Sequence, residues 1–105
     1  MSKQDNGNVS VKDPIKAPEK LKPPRKWAVI LLNDDYTTFE FVIIVLQRVF
    51  NKPYEEAKRI AKEVHTNDAG VAGIYTYEIA ETKAAVVTQL ATAAEFPLRA
   101  DLRSV

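Results

Sequence analysis

One histidine, no cysteine and 14 acidic residues bound the chemistry this 105-residue chain can perform. Without a thiol there is no disulfide scaffold, no zinc-thiolate centre and no cysteine nucleophile. A single histidine cannot build a catalytic triad without a nearby hydroxyl nucleophile, and the only serine past residue 25 is Ser104, at the end of the chain. A Gly-rich phosphate loop, a nucleophile elbow and metal-ligand pairs at useful spacing are all missing, so neither a metal nor a cofactor is expected. What remains is the run Asn33-Asp34-Asp35-Tyr36-Thr37, together with His65. An amide oxygen, a carboxylate and an imidazole gathered at one point offer acceptors to a primary ammonium, whose three N–H groups want three oxygens or nitrogens. Asp34 and Asp35 could instead serve as an acid–base pair in a hydrolase. Both groups also have plain structural uses. Asn-Asp-Asp is common turn chemistry, and a histidine near a helix C-terminus is favoured by the macrodipole.

The elements that must position these residues are legible around them. Trp27 to Leu32 is a short apolar run of strand formers, ended by the polar cluster at Asn33. Thr37-Thr38-Phe39-Glu40 has the form of a capping box, with Thr37 as the cap. Phe39, Val42, Leu46, Val49 and Phe50 follow at helical spacing. Pro53 suits the first turn of a second helix, with Glu55 and Glu56 at its positive end. Tyr54, Ala57, Ile60, Ala61 and Val64 mark that helix's buried face, which places His65 at its end. Gly70 to Tyr75 reads as a second strand. Ile79 to Ala94 reads as a third helix, with Ile79, Val86, Leu90 and Ala93 inward and Glu78, Glu81 and Lys83 outward. Phe96-Pro97 stops it, and Leu98 to Val105 forms a third strand. The order β-α-α-β-α-β implies a small α/β sandwich, a three-stranded antiparallel sheet with three helices on one face.

Charge and composition divide the chain in two. Residues 1–26 hold Lys3, Lys12, Lys16, Lys20, Lys22, Arg25 and Lys26 against Asp5, Asp13 and Glu19, and four of the six prolines stand before residue 25. Such a segment buries too little apolar surface to offset its ordering entropy, so residues 1–25 read as a disordered extension and 26–105 as the folded domain. The folded part is mildly acidic, which argues against a nucleic-acid surface. No apolar signal-peptide core precedes it, and the longest apolar run, Phe41 to Leu46, is far too short for a bilayer. A cytoplasmic monomer that binds neither nucleic acid nor membrane is expected.

Beyond spacing, the residues themselves form a pattern. Leu32-Asn33-Asp34-Asp35-Tyr36-Thr37, Glu40-Phe41-Val42, Val64-His65, Ala80-Glu81-Thr82-Lys83 and Phe96-Pro97-Leu98 stand in the order and at the spacing of the ClpS family, which the chain resembles from about Pro23 to Leu102. The resemblance implies an adaptor rather than an enzyme. Such an adaptor binds N-degron proteins, those with an unblocked, bulky apolar first residue (Leu, Phe, Tyr or Trp). It delivers them to the N-terminal domain of a ClpA- or ClpC-type AAA+ unfoldase. By the same resemblance, Asn33, Asp34 and His65 hold the substrate's α-amino group. Asp35, Thr37, Phe39, Val42, Ala61, Val64 and Leu98 line the cavity for its first side chain. Glu78 and Lys83 face the ATPase, and the leading segment serves delivery. The sequence departs from the family where Thr38-Phe39 replaces the usual Pro-Met and Ala61 replaces a frequent Met. The family's Met at the position of Phe39 acts as a gate against β-branched first residues. Alternatives are a domain that binds only its ATPase or a ribosomal partner, and the Asp34/Asp35 hydrolase.

Overall fold

The computed structural model describes residues 25–105. The extension expected over 1–25 therefore lies, except for Arg25, outside the described residues. The elements run β1 (Lys26–Leu32), α1 (Phe39–Arg48), α2 (Tyr54–Asn67), β2 (Ala69–Thr76), α3 (Tyr77–Ala93) and β3 (Arg99–Ser104). This is the expected order. The sheet order is β2-β1-β3, and both pairings are antiparallel. The most apolar strand thus takes the centre, where both of its edges are paired. Val29 and Leu31 of β1 point into the core with residues of all three helices, so the helices share one face of the sheet. On β3, Ala100 and Leu102 pack against this core, while Arg99 and Arg103 are exposed along a charged edge that discourages further strand pairing.

The β1–β2 pairing is interrupted once. Val29 faces Gly73 but Ile30 faces Val71, so Ala72 is an extra residue of a β-bulge, and it is fully buried. Two residues further, Gly70 allows β2 to lie close against α2. A Cβ on Gly70 would stand 2.8 Å from Cγ2 of Val64 and 3.3 Å from the Ile60 carbonyl oxygen.

Three details differ from the sequence reading. The cap of α1 is Thr38, whose Oγ1 accepts from the Phe41 N–H at 3.1 Å. The helix starts one residue later than the capping box places it, so Thr37 stands before the cap, and its hydroxyl donates to Asp34 Oδ2. The helix proper ends at Arg48 rather than Phe50. Asn51 then turns left-handed (φ 55°), and the Lys52 N–H closes back on the Leu46 carbonyl at 3.1 Å. In α2, Pro53 is the N-cap itself rather than part of the first turn.

A further difference is the buried face of α3, which lies one residue away from the expected one. Ala80, Val87 and Ala91 are buried and Val86 and Leu90 half-buried, whereas Ile79 is 49% exposed and Ala93 is exposed. Small side chains let this helix sit close to the sheet. Lys83, expected to point outward, is half-buried. Its Nζ donates to the Val49 carbonyl at the end of α1 (2.8 Å) and lies 5.9 Å from the ring centre of Phe50 and 5.3 Å from that of Tyr75. Burial pushes the Tyr75 phenol up from its ordinary value.

Candidate functional site

The end of β1 and the end of α2 are joined by one backbone contact. Asp68 caps α2 in the left-handed conformation (φ 68°), which swings the chain into β2. The Asp68 carbonyl accepts from the Asn33 N–H at 2.9 Å. The pairing of Leu32 with Ala69 sets this register one step earlier. Asn33 and the last turn of α2, which carries His65, therefore lie at the same end of the domain. Both residues are solvent-exposed. Sequence reasoning did not single out Asp68. The available signal was an Asp between a helix and a strand, since Asp is among the few side chains that tolerate the left-handed turn.

From Asn33 the chain enters a turn organised by Asp34. Its Oδ1 accepts from the backbone N–H groups of Tyr36 (2.8 Å) and Thr37 (2.7 Å). Its Oδ2 accepts from the Thr37 hydroxyl at 2.7 Å. Partial burial pushes the Asp34 carboxyl up, but the hydrogen bonds from Thr37 and Tyr36 outweigh it and hold the group below its ordinary value. An acid–base pair needs one carboxyl whose affinity for protons is raised toward working pH. Asp34 is shifted the opposite way. Asp35 and Tyr36 are exposed at the tip of the turn, and Thr37 is half-buried below it.

The apolar residues expected around the first side chain are part of the core. Val42 of α1, Ala61 and Val64 of α2 and Leu98 before β3 all belong to the single core cluster, and Phe39 packs against it. Phe41 and Phe96 meet at 4.9 Å between ring centres, which ties the segment leading to Leu98 onto α1. Val42, Ala61, Val64 and Leu98 are 6%, 2%, 2% and 3% exposed, so these walls are shielded from solvent rather than open. Phe39, packed against the same cluster, is half-buried. The surface depression between Glu55, Lys58, Arg59 and Lys62 is a groove among charged, solvated side chains on the outer face of α2. There Arg59 pairs with Glu56 (2.6 Å) and Glu63 (2.7 Å), an exposed arrangement of little energetic consequence. Glu78 is exposed in the first turn of α3. Among the described residues, no group of three His, Cys, Asp or Glu side chains is placed to hold a metal ion. Nor is any helix there long and apolar enough to cross a membrane.

A family model for the ATP-dependent Clp protease adaptor protein ClpS matches residues 22–101. The chain belongs to the ClpS family. The ClpS adapter protein of Desulfatibacillum aliphaticivorans is 54% identical over 84 residues, covering 80% of this chain and 81% of that one. That of Rhodospirillum centenum is 49% identical over 88 residues, covering 84% and 82%. Among solved structures, Agrobacterium tumefaciens ClpS2 bound to L-phenylalaninamide superposes with a TM-score of 0.76 at 37% identity, covering 79% of this chain and all of that one. As a ClpS protein the chain is an adaptor of the Clp protease in protein degradation, not an enzyme, which removes the Asp34/Asp35 hydrolase.

Proposed function

We propose that this adaptor captures proteins by an unblocked N-terminal Leu, Phe, Tyr or Trp and delivers them, as a cytoplasmic monomer, to the N-terminal domain of a ClpA- or ClpC-type AAA+ unfoldase. Asn33, Asp34 and His65 hold the α-ammonium. Asp35, Thr37, Phe39, Val42, Ala61, Val64 and Leu98 surround the first side chain. Glu78 and Lys83 face the unfoldase. The observation that supports this reading is the Asn33–Asp68 hydrogen bond, which joins the start of the polar turn to the C-terminal end of α2, while Val42, Ala61, Val64 and Leu98 belong to one buried cluster. The ligand of the Agrobacterium relative has the matching chemistry, a free α-amine beside a benzyl group with the carboxyl capped, as in the first residue of a peptide.

Recognition is then a double test. Burying a Leu- or Phe-sized side chain is worth about 1.5–3 kcal/mol. An acetylated amine in the same place leaves polar groups unpaired at about 1–3 kcal/mol each. In an anisotropy titration, a Phe-starting peptide binds, and N-acetylation abolishes binding. Asn33→Ala and His65→Ala each weaken it strongly. Equal affinity for the free and acetylated peptides would refute the reading.

A further inference from the structure

A carboxylate has about four acceptor directions. In Asp34 three are occupied, two on Oδ1 by backbone N–H groups and one on Oδ2 by the Thr37 hydroxyl. Among the described residues no other donor reaches this side chain, so Oδ2 keeps one acceptor direction. The two N–H bonds to Oδ1 fix the carboxylate's position in the turn. They leave it free to pivot about the Oδ1 contact, and the Thr37 hydroxyl removes that freedom. Thr37 is itself held, because its own N–H is one of the two Oδ1 donors and it stands one residue before the cap of α1. Its backbone is thus held between the turn and the helix start.

We propose that Thr37 is the positioning residue of the site: its hydroxyl locks Asp34 so that the remaining acceptor direction of Oδ2 is aimed and ready for the incoming ammonium. The inference rests on the proposed function and adds to it a division of labour. Asp34 supplies the charge, and Thr37 supplies the geometry by acting through Asp34. A preset acceptor avoids the ordering cost that a freely rotating carboxylate would meet at the moment of capture. The depressed proton affinity of Asp34 agrees, since hydrogen bonds to the charged form favour it.

The test is a set of variants titrated with one fluorescent Phe-starting peptide. Thr37→Val keeps the shape and removes the hydroxyl, and is expected to weaken binding on the order of tenfold. Thr37→Ser restores the hydroxyl and recovers most of that loss. In an Asp34→Ala background, Thr37→Val loses most of its effect, because nothing is left to position and only its contact with the first side chain remains. The carboxyl carbon resonance of Asp34 titrates at higher pH in Thr37→Val than in the wild type, and returns toward the wild-type midpoint in Thr37→Ser. Three results would overturn the role: wild-type affinity in Thr37→Val, no recovery in Thr37→Ser, or an equal loss with and without Asp34. Should the wild-type chain itself fail to bind the peptide, the proposed function falls; failure of the Thr37 series alone removes only the positioning role.

Discussion

Gly70 sits where β2 passes α2, and replacing it by alanine puts a methyl group into that contact. The new Cβ stands 2.8 Å from Val64 Cγ2, 3.3 Å from the Ile60 carbonyl oxygen and 3.4 Å from the Val64 nitrogen. The first distance requires movement. The Ile60 carbonyl is helix backbone, so turning the Val64 side chain cannot relieve that contact, whereas 3.4 Å is an ordinary one. The strand and helix must therefore separate by a few tenths of an ångström. Overpacking of this kind costs about 1–3 kcal/mol, whereas the lower chain entropy of alanine returns only about 0.4–1 kcal/mol. A net loss of about 1–2 kcal/mol is expected. For a domain of this size it lowers Tm by roughly 4–16 °C. Because Val64 and His65 sit on the displaced turn, capture of a Phe-starting peptide should weaken as well, at a temperature where the variant is still folded. The assays are thermal denaturation by circular dichroism and anisotropy titration. An unchanged or raised Tm would refute the argument that α2 and β2 are in limiting contact here.

Thr38→Ala removes the side-chain cap of α1 and should cost about 1 kcal/mol in urea denaturation, as an N-cap does. Lys83→Met keeps the aliphatic stem but leaves the Val49 carbonyl without its ammonium donor; a loss of about 1–2 kcal/mol is expected by the same measurement, before any effect on unfoldase docking. The double variant Phe39→Met, Ala61→Met exchanges a large, stiff residue for a flexible one and puts a larger side chain at Ala61, so a peptide panel should show altered preference among Leu, Phe, Tyr and Trp; identical profiles would show the swap to be neutral. The Asp34 turn has a definite pH signature. Its carboxyl is depressed below 3.8 in the folded chain, so its stabilising contribution is complete above that unfolded value and is lost as pH falls through the lower folded one. Thermal stability of Asp34→Asn relative to the wild type should therefore converge only in that acid range.

What could be read in the sequence follows from where local patterns decide the outcome. β1 ends at Leu32 as expected because the apolar run and the Asn-Asp-Asp turn agree. The cap of α1 was displaced by one residue because two threonines stand together and either can cap. The turn built on Asp34 takes in Thr37 through its N–H and its hydroxyl, so the helix starts one residue later, an arrangement that no capping pattern encodes. The inward face of α3 was displaced because the apolar residues of that helix are spread around its circumference. Size then matters more than hydropathy. Ala80 and Ala91 fit the close approach to the sheet, and Ile79 is left outside. Lys83 reads as a surface charge from its type and spacing, but a carbonyl 34 residues earlier in the chain draws it in. The residues proposed for the site were recognisable by their motif. The contact that draws together the ends of β1 and α2 was not, since it depends on strand register and on the backbone angle of Asp68.

That left-handed residue has a consequence for how the domain fluctuates. One peptide group both terminates a helix and anchors the mouth of the loop opposite, so fraying of the last turn of α2 releases two structures at once. The amide proton of Asn33 is then a gauge of the whole junction. Its exchange with solvent reports how often the two halves of the proposed amine cradle part company, and a captured N-terminus that bridges them would slow that exchange without touching the proton itself.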